Sequence, residues 1–163
     1  MREWTVAGGI VLDGDALLLV QNQRRNGALD WSPPGGVIEV HEGEPLLDGL
    51  TREVEEETGL RVTSWLGPLY EVHAEAPDLG WRLRAEVHLA VAYEGELRLD
   101  DPDGIVIDAR FVPLAGCDEH LGSCHPWVRE PLAAWLAERW DDGRHFGYRV
   151  DGADQQSITV TRL

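Results

Sequence analysis

The sequence predicts an α+β fold, and three observations carry that expectation. Short apolar runs bounded by Gly, Pro and Asp recur along the chain and read as strands. Two longer stretches repeat their apolar residues at helical spacing instead. No internal repeat, low-complexity tract or linker divides the 163 residues. Many strands with two helices among them indicate one mixed domain. The length and the 43% hydrophobic content suit a globular chain with its own core. We expect a single domain over residues 1–163, with a core at about 6–140 and a C-terminal extension, 141–163, folded as a hairpin.

Each element has a local reason. Residues 6–11 and 16–20 are apolar and flank Asp13-Gly14-Asp15, which predicts a hairpin. Residues 21–30 read as a polar loop holding Arg24 and Arg25. Trp31-Ser32-Pro33-Pro34-Gly35-Gly36 must follow a rigid, irregular path, because proline fixes φ and glycine opens positive φ. Residues 37–40 suit a short strand. A helix follows, with Pro45 fitting its first turn and Gly59 its C-terminal cap. Leu46, Leu47, Leu50 and Val54 form the expected buried stripe.

Residues 62–72 and 81–93 read as strands, the second placing Trp81, Leu83, Ala85, Val87 and Leu89 on one side. Leu97 and Leu99 suggest a short extended piece before the acidic loop 100–104, and residues 105–114 another strand. Residues 126–140 read as a helix with Leu132, Trp135, Leu136 and Trp140 on its apolar face. Residues 146–150 and 157–161 suggest a hairpin about Asp151-Gly152 that covers a sheet edge or a homodimer partner.

The charge balance narrows the function. Thirty Asp and Glu against 14 Lys and Arg give a net charge of −16, a field that repels polyanions and argues against tracking of a nucleic-acid polymer. A small phosphorylated ligand is not excluded, since a bound cation reverses the local sign. Cys117 and Cys124 make neither a disulfide framework nor a four-ligand zinc site, which suits a reducing cytoplasm. No early apolar run is long enough to span a membrane.

The most informative segment is Arg52-Glu53-Val54-Glu55-Glu56-Glu57-Thr58-Gly59-Leu60. On a helix, Glu53, Glu56 and Glu57 stand at i, i+3 and i+4 and share one face. Three crowded carboxylates repel one another, and a divalent cation relieves that repulsion. Oxygen-only ligands favour a hard ion, Mg²⁺ or Mn²⁺.

The run from Gly35 to Leu60 resembles the signature box of the Nudix hydrolases. Glu44, seven intervening residues, Arg52-Glu53-Val54, Glu56-Glu57 and Gly59-Leu60 match its second half, and Trp31-Ser32-Pro33-Pro34-Gly35-Gly36 matches its approach. One departure is a glycine-to-glutamate spacing, Gly36 to Glu44, two residues longer than the family's. The resemblance implies an α/β/α sandwich with a mixed β-sheet and a loop–helix–loop box. It also implies hydrolysis of a nucleoside diphosphate linked to another moiety. Carried over by position, Glu53, Glu56, Glu57 and the Gly36 carbonyl would hold Mg²⁺, with Mn²⁺ as a substitute. Arg52 would pair with a box carboxylate, and Glu44, which keeps the family spacing to Arg52, would stand at the helix entrance rather than Glu42, which keeps the spacing from Gly36. Gly49 would leave room for metal or a close-packed loop.

The general base stays open between Glu56, Glu57 and a later acid, for which Asp101, Asp103 and Asp108 are candidates. Arg24 and Arg25 are candidate phosphate contacts. Trp4, Trp31 and Trp81 suit core packing better than base stacking. Ser123-Cys124-His125-Pro126 reads as a turn leading into a helix. It is similar to a cysteine segment of the related isopentenyl diphosphate isomerases, but follows the box rather than preceding it. Two rivals remain: a non-catalytic binding module of the same fold, and such an isomerase.

Overall fold

The computed structural model describes all of residues 1–163. Its strands are β1 (Arg2–Ile10), β2 (Leu12–Asp13), β3 (Ala16–Gln23), β4 (Leu29–Ser32), β5 (Gly35–Val37), β6 (Arg61–Ala76), β7 (Trp81–Glu94), β8 (Val106–Pro113), β9 (Arg144–Asp151) and β10 (Thr159–Arg162). Its α-helices are α1 (Leu46–Thr58), α2 (Cys117–Leu121) and α3 (Pro126–Glu138). Six strands form a mixed sheet in the order β10-β9-β6-β7-β1-β5, parallel at β6/β9 and β1/β7. A second, antiparallel sheet centres on β3, which pairs with β2, β4 and β8.

The first hairpin needs correction. The Asp13-Gly14-Asp15 turn is present, but only the two-residue β2 returns along β3. β1 runs instead into the larger sheet, beside β7 and β5. The chain thus changes sheets at Val11, whose side chain is fully buried. The loop expected at 21–30 is shorter: β3 runs on to Gln23, and Leu29 and Asp30 already belong to β4. The strand expected at 37–40 ends at Val37, and residues 40–42 form a single 3₁₀ turn. Leu97 and Leu99 are exposed and lie in no strand. The small helix α2 was not foreseen.

Two apolar clusters hold the layers together. One, containing Ile10, Leu19, Tyr70, Val72, Leu132 and Trp135, fills the space between the sheets and α3. The other, containing Ala7, Leu18, Ile38, Leu50, Val54 and Val62, seats α1. Leu50 and Val54 are wholly buried, contributing about 1.5–3 kcal/mol each. Leu46 packs beside them, while Leu47 departs from the expected stripe and stays 39% exposed. The predicted face of β7 packs as expected against the first cluster, as do Trp31 and Trp81.

The C-terminal strands complete the larger sheet rather than decorate it. β9 lies between β6 and β10, and Phe146, Tyr148 and Val150 are buried in the core. No helix is long and apolar enough to cross a membrane.

Candidate active site

The site is built where α1 meets the turn before it. Gly35 takes φ 152°, and a Cβ there would lie 2.1 Å from the Ala7 carbonyl oxygen, so only glycine lets β5 approach β1 this closely. That approach sets Gly36 against α1: a Cβ on Gly36 would stand 3.1 Å from the Glu53 carboxyl. Pro45 is extended and stands just before the first helical residue, one position earlier than expected. At the other end Gly59, at φ 83°, donates its amide to the Glu55 carbonyl at 2.9 Å and stops the helix.

The polar face of α1 divides into two flanks. On the outer flank Arg52 gathers three carboxylates. Its Nε and Nη2 donate to the two Glu44 oxygens at 3.1 and 3.2 Å, and its Nη1 donates to Glu53 at 3.1 Å and Glu56 at 3.2 Å. The Glu39 amide also donates to Glu44, at 3.3 Å. The Arg52 bonds and that amide hold Glu44 below the usual carboxylate range. Gly49 leaves room for this packing: a Cβ would fall 2.8 Å from Glu44 Oε1 and 2.9 Å from Ile38. The space is therefore taken by the preceding loop. Glu42 is exposed and has no side-chain bond.

On the inner flank the charge is balanced only in part: Glu53 shares Arg52 with two other carboxylates, and Glu57 bonds to no cation. Glu57 is only 7% exposed. Burial first, then the charges of Glu53 and Asp101, push its carboxyl up to about 9, with the Gly35 amide offsetting this only in part. Burial raises Glu53 as well, in spite of Arg52.

Glu53 and Glu57 open into a cavity of about 700 Å³. Gly35, Gly36, Glu39, Asp101 and Asp103 share the polar end of its wall, and Val72, Leu83, Val87 and Trp127 its apolar end. Arg24 lines it too, but is bound through two bonds, 2.6 and 3.0 Å, to Asp30. Arg25 lies exposed and off the wall. Glu56 faces Arg52 and is likewise off the wall. Of the three loop acids, Asp108 pairs with Arg110 outside the cavity. Asp101 accepts bonds from the amides of Asp103, Ile105 and Val106 and so braces its loop. The Asp103 carboxylate accepts no such bond. Glu39 and Trp127 were not foreseen. Glu39 carried a usable signal, standing three residues past Gly36; Trp127 reaches the wall only through the docking of α3.

A mixed sheet with helices packed against it, carrying an acidic helix against a glycine turn, is an α+β fold of the Nudix type. The NUDIX domain profile matches residues 3–136, and the chain belongs to this family as a Nudix hydrolase. Enzymes of this family act on small nucleotide substrates and generally use divalent metals. Among solved structures the chain is similar to a MutT Nudix hydrolase from Burkholderia pseudomallei, with 27% identity over 71% of this chain and 86% of that one, at a TM-score of 0.61. A mutator MutT protein from Bacillus halodurans shares the fold at 21% identity, covering 98% and 97% of the two chains with a TM-score of 0.68. An ADP compounds hydrolase shares it at 17% identity, covering 83% and 74%, with a TM-score of 0.64. No curated protein matches the sequence.

Proposed function

We propose that the protein is a Mg²⁺-dependent pyrophosphatase acting on a nucleoside diphosphate linked to another moiety, with Mn²⁺ as a substitute ion. The observation that carries this reading is the inner flank of α1. Two carboxylates converge there beside Gly36, Glu57 buried with no cation bonded to it and Glu53 with only a share of Arg52. That donor set fits a hard cation, which supplies the charge the flank lacks. Gly36, through its carbonyl, Glu53 and Glu57 would hold it, and Glu56, which faces Arg52 and lies off the wall, would have to turn to join them. When bound, the ion would neutralise diphosphate oxygens and lower the pKa of water.

The remaining work falls to the chain itself. Arg52 would fix the rotamers of Glu53 and Glu56, and Glu44 would fix Arg52. The apolar end of the cavity would take the nucleoside and keep water from its base, and the volume is of nucleotide scale. Arg24 would reach the phosphates once Asp30 shares it. Asp103, whose carboxylate accepts no hydrogen bond and which lines the cavity, would accept a proton from the attacking water. The free thiols Cys117 and Cys124 accord with a cytoplasmic location.

The test is a panel of nucleotide sugars, ADP-ribose-like compounds, dinucleoside polyphosphates and nucleoside triphosphates, incubated with Mg²⁺ and with excess EDTA. We expect release of a nucleoside monophosphate or pyrophosphate from at least one class, in Mg²⁺ only. Tight binding without cleavage would make the protein a sensor, and full activity in EDTA would end the metal reading.

A further inference from the structure

The face of the six-stranded sheet opposite Tyr70 and Val72 carries a group of residues that the hydrolytic site does not use. On β6, Glu71 and His73 are two apart and point to the same side. On β9, His145 is the direct parallel partner of Glu71. The backbone therefore brings two imidazoles and a carboxylate together. His145 Nδ1 lies 3.4 Å and His73 Nε2 3.8 Å from the same oxygen, Glu71 Oε2. One ligand atom from each residue falls within 4.8 Å of the other two.

These separations are informative. They exceed the roughly 2.7–3.2 Å of an N–H···O bond. They approach the spacing of ligands about a single ion: bonds of about 2.0–2.1 Å put tetrahedral ligand atoms roughly 3.3–3.4 Å apart. Glu71 is also oriented from behind. Arg84 Nη2 donates to its other oxygen, Oε1, at 2.8 Å and is itself held by Glu86 at 2.7 Å. Glu86 is bound in turn by the buried His88 at 3.0 Å. Arg84 thus occupies one Glu71 oxygen and leaves Oε2 turned toward the two imidazoles. A ligating carboxylate with a hydrogen-bonded partner behind it is the arrangement that tunes metal sites.

We propose that Glu71, His73 and His145 form a second metal site, separate from the acidic helix, for a divalent ion of the Zn²⁺ class. Two nitrogens and one oxygen suit Zn²⁺, Cu²⁺ or Ni²⁺ and not Mg²⁺. The exposed imidazoles leave the remaining positions to water. Such an ion would tie β9 to β6 across their parallel seam, so it would stabilise the folded chain by linkage.

The experiment is calorimetric titration of chelator-stripped protein with Zn²⁺ under saturating Mg²⁺, followed by ¹⁵N-imidazole NMR and a melting curve. We expect one Zn²⁺ event that His73→Asn and His145→Asn each weaken about tenfold or more, and that Glu57→Gln leaves unchanged. The His73 and His145 resonances should shift together, and Zn²⁺ should raise the melting temperature of the wild type but not of the two histidine variants. Equal binding by wild type and both variants would overturn the site, and so would unmoved His73 and His145 resonances at saturating Zn²⁺.

Discussion

Two acidic groups in this molecule meet opposite fates. On the back of the sheet, Glu71 and Glu86 share Arg84, and His88 closes the chain. Burial alone would raise Glu86, yet its bonds to His88 and Arg84 bring it below the usual carboxylate range. In the cleft, burial raises both Glu53 and Glu57, and the charge of Glu53 adds to the rise of Glu57. The difference lies in the placing of the cations. Arg84 sits between its carboxylates, whereas Arg52 sits outside the cleft and serves Glu44 and Glu56 as well as Glu53. Carboxylates that are left uncompensated mark a place where charge is to arrive from solution.

The sharpest way to break this comparison is to remove the buried acid. Glu57→Gln should lower turnover by about 10²–10⁴-fold, with unchanged circular dichroism. Retained turnover would place the chemistry elsewhere. A smaller effect tests the outer flank. Glu44→Gln should lower turnover by about tenfold or more, because Glu44 holds the Arg52 that orients Glu53, while Glu42→Gln should be nearly silent. The reverse pattern in parallel assays would show that Glu42 orders the helix.

The stability of the metal-free protein should move the other way. Glu57 is raised from 4.5 to about 9, so the folded state keeps a proton that the unfolded chain has already released. Stability therefore falls as pH rises through that window, by at most about 1.4 kcal/mol per pH unit. In chelator, the melting temperature should drop between those values by several degrees. Glu57→Gln should flatten the slope, and its melting point should exceed the wild type's near the alkaline end. A parallel slope in both proteins would assign the loss to general charge repulsion.

The smallest expected effect concerns packing. In an open helix Gly→Ala gains roughly 1 kcal/mol. Gly49→Ala should instead lose about 1–3 kcal/mol, because its methyl meets Glu44 and Ile38. Urea denaturation gives the sign directly.

Part of the cleft's acidic half is legible in the chain, because a helix enforces its own geometry: spacing puts Glu53 and Glu57 on one face and Gly59 ends the helix, but spacing does not show that Glu56 turns out of the cleft to Arg52. Less is legible where two sheets make the same demand. Leu17 to Val20 of β3 are buried in succession and do not alternate, so the pattern names no sheet for β1, and a good turn at Asp13-Gly14 looks like a full hairpin although β1 leaves at once. The apolar half of the cavity is not legible at all. Trp127 is remote in sequence from Glu57, and only the seating of α3 on the sheet brings it to the same wall. Arg24 shows the limit of charge reading: it reaches the cleft as expected, but Asp30 has already claimed it.

The sheet switch at Val11 also bears on how the chain reaches its folded state. Both parallel pairings of the larger sheet, Arg2 with Trp81 and Tyr70 with Arg144, join segments roughly 75 residues apart, and such distant pairings slow folding. As the chain leaves the ribosome, β1 must wait for β7, β6 for β9 and β3 for β8, while β3 can pair early with β4 and β6 with β7. The local antiparallel pairs β3/β4 and β6/β7 would then form first, and neither sheet would be complete until its distant strand arrived. The apolar wall of the cleft would be among the last surfaces closed, open until synthesis ends to any hydrophobic segment nearby.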